Sequence, residues 1–282
     1  MFYIVIYQFG AGNENLRVVQ VGDNPAYARS YVVSAPLGAN ANANGTGDIS
    51  FHVRPDQKVD LFILGTNNGI ASYTMDFPFF VNGRFNEAYT IIGGSQNQNQ
   101  GFGPAMELKK LGYSYDSNYV YVAVQTKLDK TNSNGMVLLL NFDNITGAPA
   151  GTSLGGVPSG GHLFGDGSNP NWKMGFEVDM AFVINAGGND SVAYLDAAKY
   201  FSGNKTGQYI GSSYNSGSGT NGPSVAGIFA ENSIRFALDS AYDRGRGFEI
   251  RIPRSELNNI GFNGNLQMAA FIVSNSAYFS DL

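Results

Sequence analysis

Two carboxylates set two residues apart are the first place to look for chemistry in this chain. In FEVDMAF, Glu177 and Asp179 alternate with apolar residues in the manner of a β-strand. A strand has a period of two, so the pair would share one face at a separation of roughly 7 Å. Carboxylates so spaced suit glycoside hydrolysis, contact with a glycan or contact with calcium, against the plain alternative of a solvated strand face. The stretch GHLFGDGSNPNW (161–172) offers a second chemistry, because Asp166, Asn169 and Asn171 lead up to Trp172, the only tryptophan. An indole ring can stack on a pyranose face while neighbouring amides bond the hydroxyls. A third stretch, DKTNSNG (129–135), places oxygen ligands at alternate positions, as a calcium loop does. It lacks the bidentate Glu and the full Asp set of an EF-hand loop, and a tight hairpin turn explains it better.

The stretch GRGFEIRIPRSEL (245–257) sets five charges into an apolar run. Phe248, Ile250 and Ile252 alternate with Glu249 and Arg251, so the apolar set is expected to face a core and the charged pair to face water. Pro253 cannot donate to a ladder and should end the strand, after which Ser255 suits the start of a short helical turn. Other catalytic signatures are missing: no G-x-S-x-G, no phosphate-binding G-x-x-x-x-G-K, no H-E-x-x-H, no cysteine, and only His52 and His162 as histidines. An enzyme is not expected.

The elements that would carry these residues follow from composition. Among 282 residues only 14% are charged, 13% are aromatic and 37 are glycine. This profile favours many short strands joined by polar loops over helices, which would draw on more Ala, Leu, Glu and Lys. Net charge is −5 with no basic stripe, so a nucleic-acid partner is not expected. No apolar run reaches the length of a membrane span. MFYIVIYQFG lacks a basic n-region and a cleavage site, so the numbering reads as that of a mature chain. Low charge with abundant Gly, Asn, Ser and Tyr points to a secreted or cell-surface location.

Residues 1–74 read as a small β domain with strands in FYIVIYQF, RVVQV, YARSYVVS, DISFHV and KVDLFILG. The first of these is apolar on both faces. It is either central in its own sheet or able to leave and complete a neighbour's. Residues 75–282 carry longer strands: MELKKLGYSYD turning into YVYVAVQTKL, then MVLLLNFD, then GFEVDMAFVINAGG paired with SVAYLDAA. GNKTGQYIGSSYNSGSGTNG (203–222) is low in complexity and reads as a flexible surface loop.

In VNGRFNEAYT, SYDSNYVYVAVQTKLD, NGMVLLLNFD and GFEIRIPRSEL, taken in this order, residues 75 to 282 resemble family 9 carbohydrate-binding modules and the related DOMON-like domains. That resemblance implies an antiparallel, jelly-roll-like β-sandwich of a kind used to bind sugars, haem or partner domains. FEVDMAF resembles the E-x-D-x-x-E strand of laminarinase-like and lichenase-like glycoside hydrolases. The third carboxylate of that motif is replaced by Ala181 and Phe182, which removes the acid/base.

The expected protein is therefore all-β. It is a sandwich preceded by a small β domain, working without catalysis outside the cell as a subunit of a fibre, sheath or layer, or as an adhesin. The alternative is a carbohydrate-binding module of a secreted glycan-degrading system. Expected partners are neighbouring subunits or glycans, with Trp172, Asp166, Asn169, Asn171, Glu177 and Asp179 as ligand contacts and calcium as the one candidate ion.

Overall fold

A computed structural model describes residues 2–8, 15–21, 29–32, 48–54, 58–65, 69–75, 79, 81–85, 89–94, 101–103, 106–128, 134–154, 173–186, 192–201, 206–214, 217–220, 228–239, 246–257 and 265–273. The described residues form strands, turns and one short 3-10 turn, and the chain separates into two compact units, Met1–Phe79 and Phe80–Leu282.

The first unit holds two three-stranded antiparallel sheets. One is β1 (Phe2–Gln8), β2 (Asn15–Val21) and β3 (Arg29–Val32), with β1 at an edge. The other is β4 (Asp48–Val53), β5 (Val59–Gly65) and β6 (Gly69–Met75). Leu16 and Val18 of β2 pack with Leu61 and Ile63 of β5 and with Met75, which makes this a small two-sheet sandwich. GIASYTM, which the pattern reading left outside its strands, is β6. Pairing with β5 supplies what its weak alternation does not.

The second unit is a larger antiparallel sandwich. Its five-stranded sheet runs β13-β12-β11-β10-β17 and its six-stranded sheet β14-β15-β16-β9-β8-β7. In chain order these are β7 (Thr90–Gly94), β8 (Glu107–Tyr115), β9 (Tyr119–Lys127), β10 (Gly135–Phe142), β11 (Met180–Ala186) and β12 (Val192–Lys199). Then follow β13 (Thr206–Tyr214), β14 (Gly217–Thr220), β15 (Arg235–Leu238), β16 (Gly247–Pro253) and β17 (Leu266–Val273). Alternate residues meet in the core between the sheets. Val120, Val122 and Val124 of β9 and Phe248, Ile250 and Ile252 of β16 face Met136, Leu138 and Leu140 of β10 and Phe182 and Ile184 of β11.

β10 is buried along nearly its whole length, and so is most of β9. Central strands covered on both faces need apolar residues in both registers, which explains MVLLL and VYVAV. The low-complexity stretch 203–222 is not the loop its composition implies. It supplies β13, paired with β12, and β14, paired with β15. Gly and Ser make poor strands alone, but here each segment adds to the edge of an existing ladder and Ile210 enters the core.

Among the described residues one ion pair links the sheets. Lys199, at the end of β12, meets Glu256 at 2.9 Å in the 3-10 turn Arg254–Leu257 that follows β16, and its ammonium lies 4.3 Å from the Phe229 ring centre. Burial pushes the Glu256 carboxyl up, but Lys199 and the Ala230 amide outweigh it and hold the group below its ordinary range. Its contribution is therefore present above the unfolded carboxylate's pKa and is lost as pH falls through the lower, folded value. Pro253 does end β16, while Ser255 sits inside the turn and is exposed.

Phe182 is 1% exposed and its ring lies 6.0 Å from that of Phe229. Phe182→Ala is expected to cost about 3–5 kcal/mol, read as a lower urea midpoint with an unchanged slope.

Candidate functional site

Glu177 and Asp179 do not stand on an open strand face. They lie just before β11, in a segment that folds over the outer face of the five-stranded sheet. Ala148 and Val178 exchange amide–carbonyl hydrogen bonds at 2.8 and 2.9 Å, and Ser153 bridges Lys173. Residues 145–154 and 173–178 thus form a cover. Beneath it Leu154, Val178, Met174 and Phe176 pack on Val137, Leu139, Ala181, Val183 and Phe271.

Asp179 is completely buried, which corrects the expectation of a solvated or ligand-contacting carboxylate. Its Oδ2 accepts the Phe142 amide at 2.6 Å, while Oδ1 has no hydrogen-bond partner. Its own amide donates to Leu140 and its carbonyl accepts from Tyr200, so the backbone is held on both sides. Glu177 is half-buried and accepts the Gly147 amide at 3.1 Å. Gly147 is needed for a steric reason, because a Cβ there would fall 2.4 Å from Asp179 Oδ1 and 2.3 Å from the Val178 carbonyl oxygen.

Burial, and then the nearby Glu177 charge, push Asp179 up from 3.8 to about 7, against the Phe142 amide, which favours the anion. A group with that environment attracts attention as a catalytic acid. Here Ala181 and Phe182, which occupy the third carboxylate's place, are both buried in cores, and Asp179 offers no accessible oxygen. The pair fastens a cover.

The second correction concerns Glu249, expected to face water and in fact 1% exposed. Its Oε2 accepts the backbone amides of Asn82, Gly83 and Arg84 at 2.7, 2.8 and 3.2 Å, and its Oε1 accepts the Tyr89 hydroxyl at 2.8 Å. The segment 81–85 is thereby laid over the outer face of the six-stranded sheet. Gly83 makes the nest possible, since it sits at φ +78° and a Cβ would lie 2.5 Å from the Asp239 nitrogen. Asp239, also buried, meets Arg246 at 3.4 Å and Arg84 at 3.9 Å. Arg251 is half-buried and lays its guanidinium 4.3 Å from the Tyr119 ring centre.

Trp172, Asp166, Asn169 and Asn171 lie outside the described residues, as do residues 129–133 of the calcium-like loop. Among the described residues no cluster of three or more His, Cys, Asp or Glu is placed to hold a metal ion. No helix among them is long and apolar enough to cross a membrane. A groove of about 280 Å³ between β7, β8 and β17 is lined by Ile92, Leu108, Leu111, Val124 and Met268, and no carboxylate lines it. No protein-family model matches the chain, and no curated protein matches it significantly.

Two tests follow. Between pH 3.8 and about 7 the folded Asp179 carboxyl keeps a proton that the unfolded one has lost, so this group makes the fold more stable as pH falls through that window. Asp179→Asn keeps an acceptor for the Phe142 amide and removes the charge. Thermal melts should show the variant gaining on the parent at pH 8 and a flatter profile from pH 5 to 8. Glu249→Ala strands three backbone amides and is expected to cost about 3 kcal/mol or more, with Glu249→Gln losing less, as measured by urea unfolding.

Proposed function

We propose that this is a non-catalytic protein of the cell exterior, a structural subunit of a fibre, sheath or layer, or an adhesin. One observation carries the reading. On the outward face of the β4–β6 sheet, Phe62, Leu64 and Ile70 are 43%, 46% and 74% exposed, and Leu64 and Ile70 are directly opposed across the β5–β6 pair. A contiguous apolar patch on so small a sheet is costly to leave wet and marks a surface meant for another protein. The same unit carries the charge-free strand FYIVIYQ at the edge of a sheet, a position open to strand pairing between subunits. The carboxylates that resembled catalytic ones are spent on backbone amides, which supports a non-catalytic role.

A second reading, a carbohydrate-binding module of a secreted glycan-degrading system, draws on the resemblance of residues 75–282 to family 9 modules. Tyr115, half exposed and stacked on Tyr113 with ring centres 6.4 Å apart, favours it.

Light scattering coupled to size exclusion tests the subunit reading. The purified chain should run larger than a monomer and grow with concentration. Phe62→Ser with Leu64→Ser should return it to monomer, and deletion of residues 1–10 separates strand exchange from patch association. A monomer at all concentrations would overturn the reading.

A further inference from the structure

The turn that leaves β10 carries the triplet Asn144-Ile145-Thr146, an N-x-T sequence without proline at its centre. This is the acceptor signal for N-linked glycans, in which the asparagine amide takes the sugar and the hydroxyl residue two places on completes the signal. In a chain rich in Asn, Ser and Thr such triplets also arise by chance, and their structural setting separates the two cases. The other three, at Asn44, Asn189 and Asn204, lie outside the described residues.

The setting of Asn144 suits a modified side chain. The triplet stands outside the strand ladders, because β10 ends at Phe142 and the chain turns there through a hydrogen bond from the Ile145 amide to the Phe142 carbonyl at 2.9 Å. Asp143 and Asn144 are the two corner residues of that turn. Within the triplet burial alternates. Asn144 and Thr146 are both exposed, whereas Ile145 between them is 7% exposed and belongs to the core between the sheets. The apolar residue anchors the turn, and the two polar members of the signal are left on the outside. Three polar contacts fix the same stretch. The Phe142 amide donates to Asp179 Oδ2 at 2.6 Å, the Gly147 amide to Glu177 Oε1 at 3.1 Å, and the Asn265 side-chain amide to Asp143 Oδ2 at 2.7 Å. None of the three uses the side chain of Asn144 or Thr146. A bulky, hydrated glycan needs an acceptor of this kind, held in place by its neighbours and facing water itself.

We propose that Asn144 is an acceptor site for an N-linked glycan. The reaction joins the side-chain nitrogen to the anomeric carbon of a sugar carried on a lipid phosphate. The new C–N bond replaces the C–O bond between sugar and phosphate, the lipid phosphate leaves, and one amide proton passes to a base of the transferase. The site rests on the exterior location proposed above, since this modification belongs to chains that leave the cytoplasm. It concerns a sugar that the protein carries, and it does not depend on a sugar that the protein binds.

The test expresses the full chain behind a cleavable secretion signal in a host that performs N-glycosylation, with Asn44→Gln, Asn189→Gln and Asn204→Gln so that Asn144 heads the one remaining triplet. Signal-cleaved chains should carry one glycan. Peptide N-glycosidase should remove it and convert the asparagine at 144 to aspartate, a mass change that peptide mapping assigns to that position. Thr146→Ala should lose the glycan and Thr146→Ser should keep it. The glycosylated chain and its Asn144→Gln variant should share one urea midpoint, because the folded turn leaves the sugar in solvent. Signal-cleaved chains unmodified at 144, a glycan that persists in Thr146→Ala, or a glycan that lowers the midpoint would each overturn the proposal. Light scattering on the same material separates the two readings. An unmodified chain that still self-associates removes the acceptor site alone, and a modified chain that stays monomeric supports the site while overturning the subunit reading.

Discussion

Large sandwiches must hide more than the surface between their sheets. The central strands β9 and β10 are buried along most of their length on both faces, and β16 buries Glu249 on its outer one, so the outer face of each sheet also needs a cover. The chain makes those covers from its own irregular segments. Their backbone amides have no ladder to join, and a buried carboxylate accepts them instead. Glu249 does this for residues 82–84 over the six-stranded sheet and Glu177 for Gly147 over the five-stranded sheet, while Asp179 takes the Phe142 amide at the end of β10.

This arrangement explains why acidic residues in strands are a poor guide to catalysis here. A carboxylate that accepts several backbone amides is a tether whose charge is already compensated. Asp179 shows the limit of the device. It takes one amide, keeps one oxygen unpartnered and has its affinity for a proton raised by burial. Glu249, with both oxygens engaged, leaves no such imbalance.

Much of the architecture was legible in the order of residues. Alternation in YVYVAVQTK and GFEIRIP, the stop at Pro253 and the pairing of β11 with β12 all depend on a period of two, which is a local property of the backbone. Poorly patterned strands were not legible. GIASYTM and the Gly/Ser-rich segments of β13 and β14 are strands because a neighbour offers a ladder, and no local pattern records the neighbour.

By itself the sequence determined an all-β chain, with a core of Val, Ile, Leu and Phe placed at alternate positions. It could not determine what lies above a strand's second face. Glu249 and Arg251 alternate identically with apolar residues, yet one is sealed under a segment some 165 residues distant and the other lies half open on Tyr119. Only the tertiary structure decided which polar residues are buried tethers and which stay partly exposed. The period of a strand says which side a residue faces, whereas burial depends on what the rest of the chain puts there.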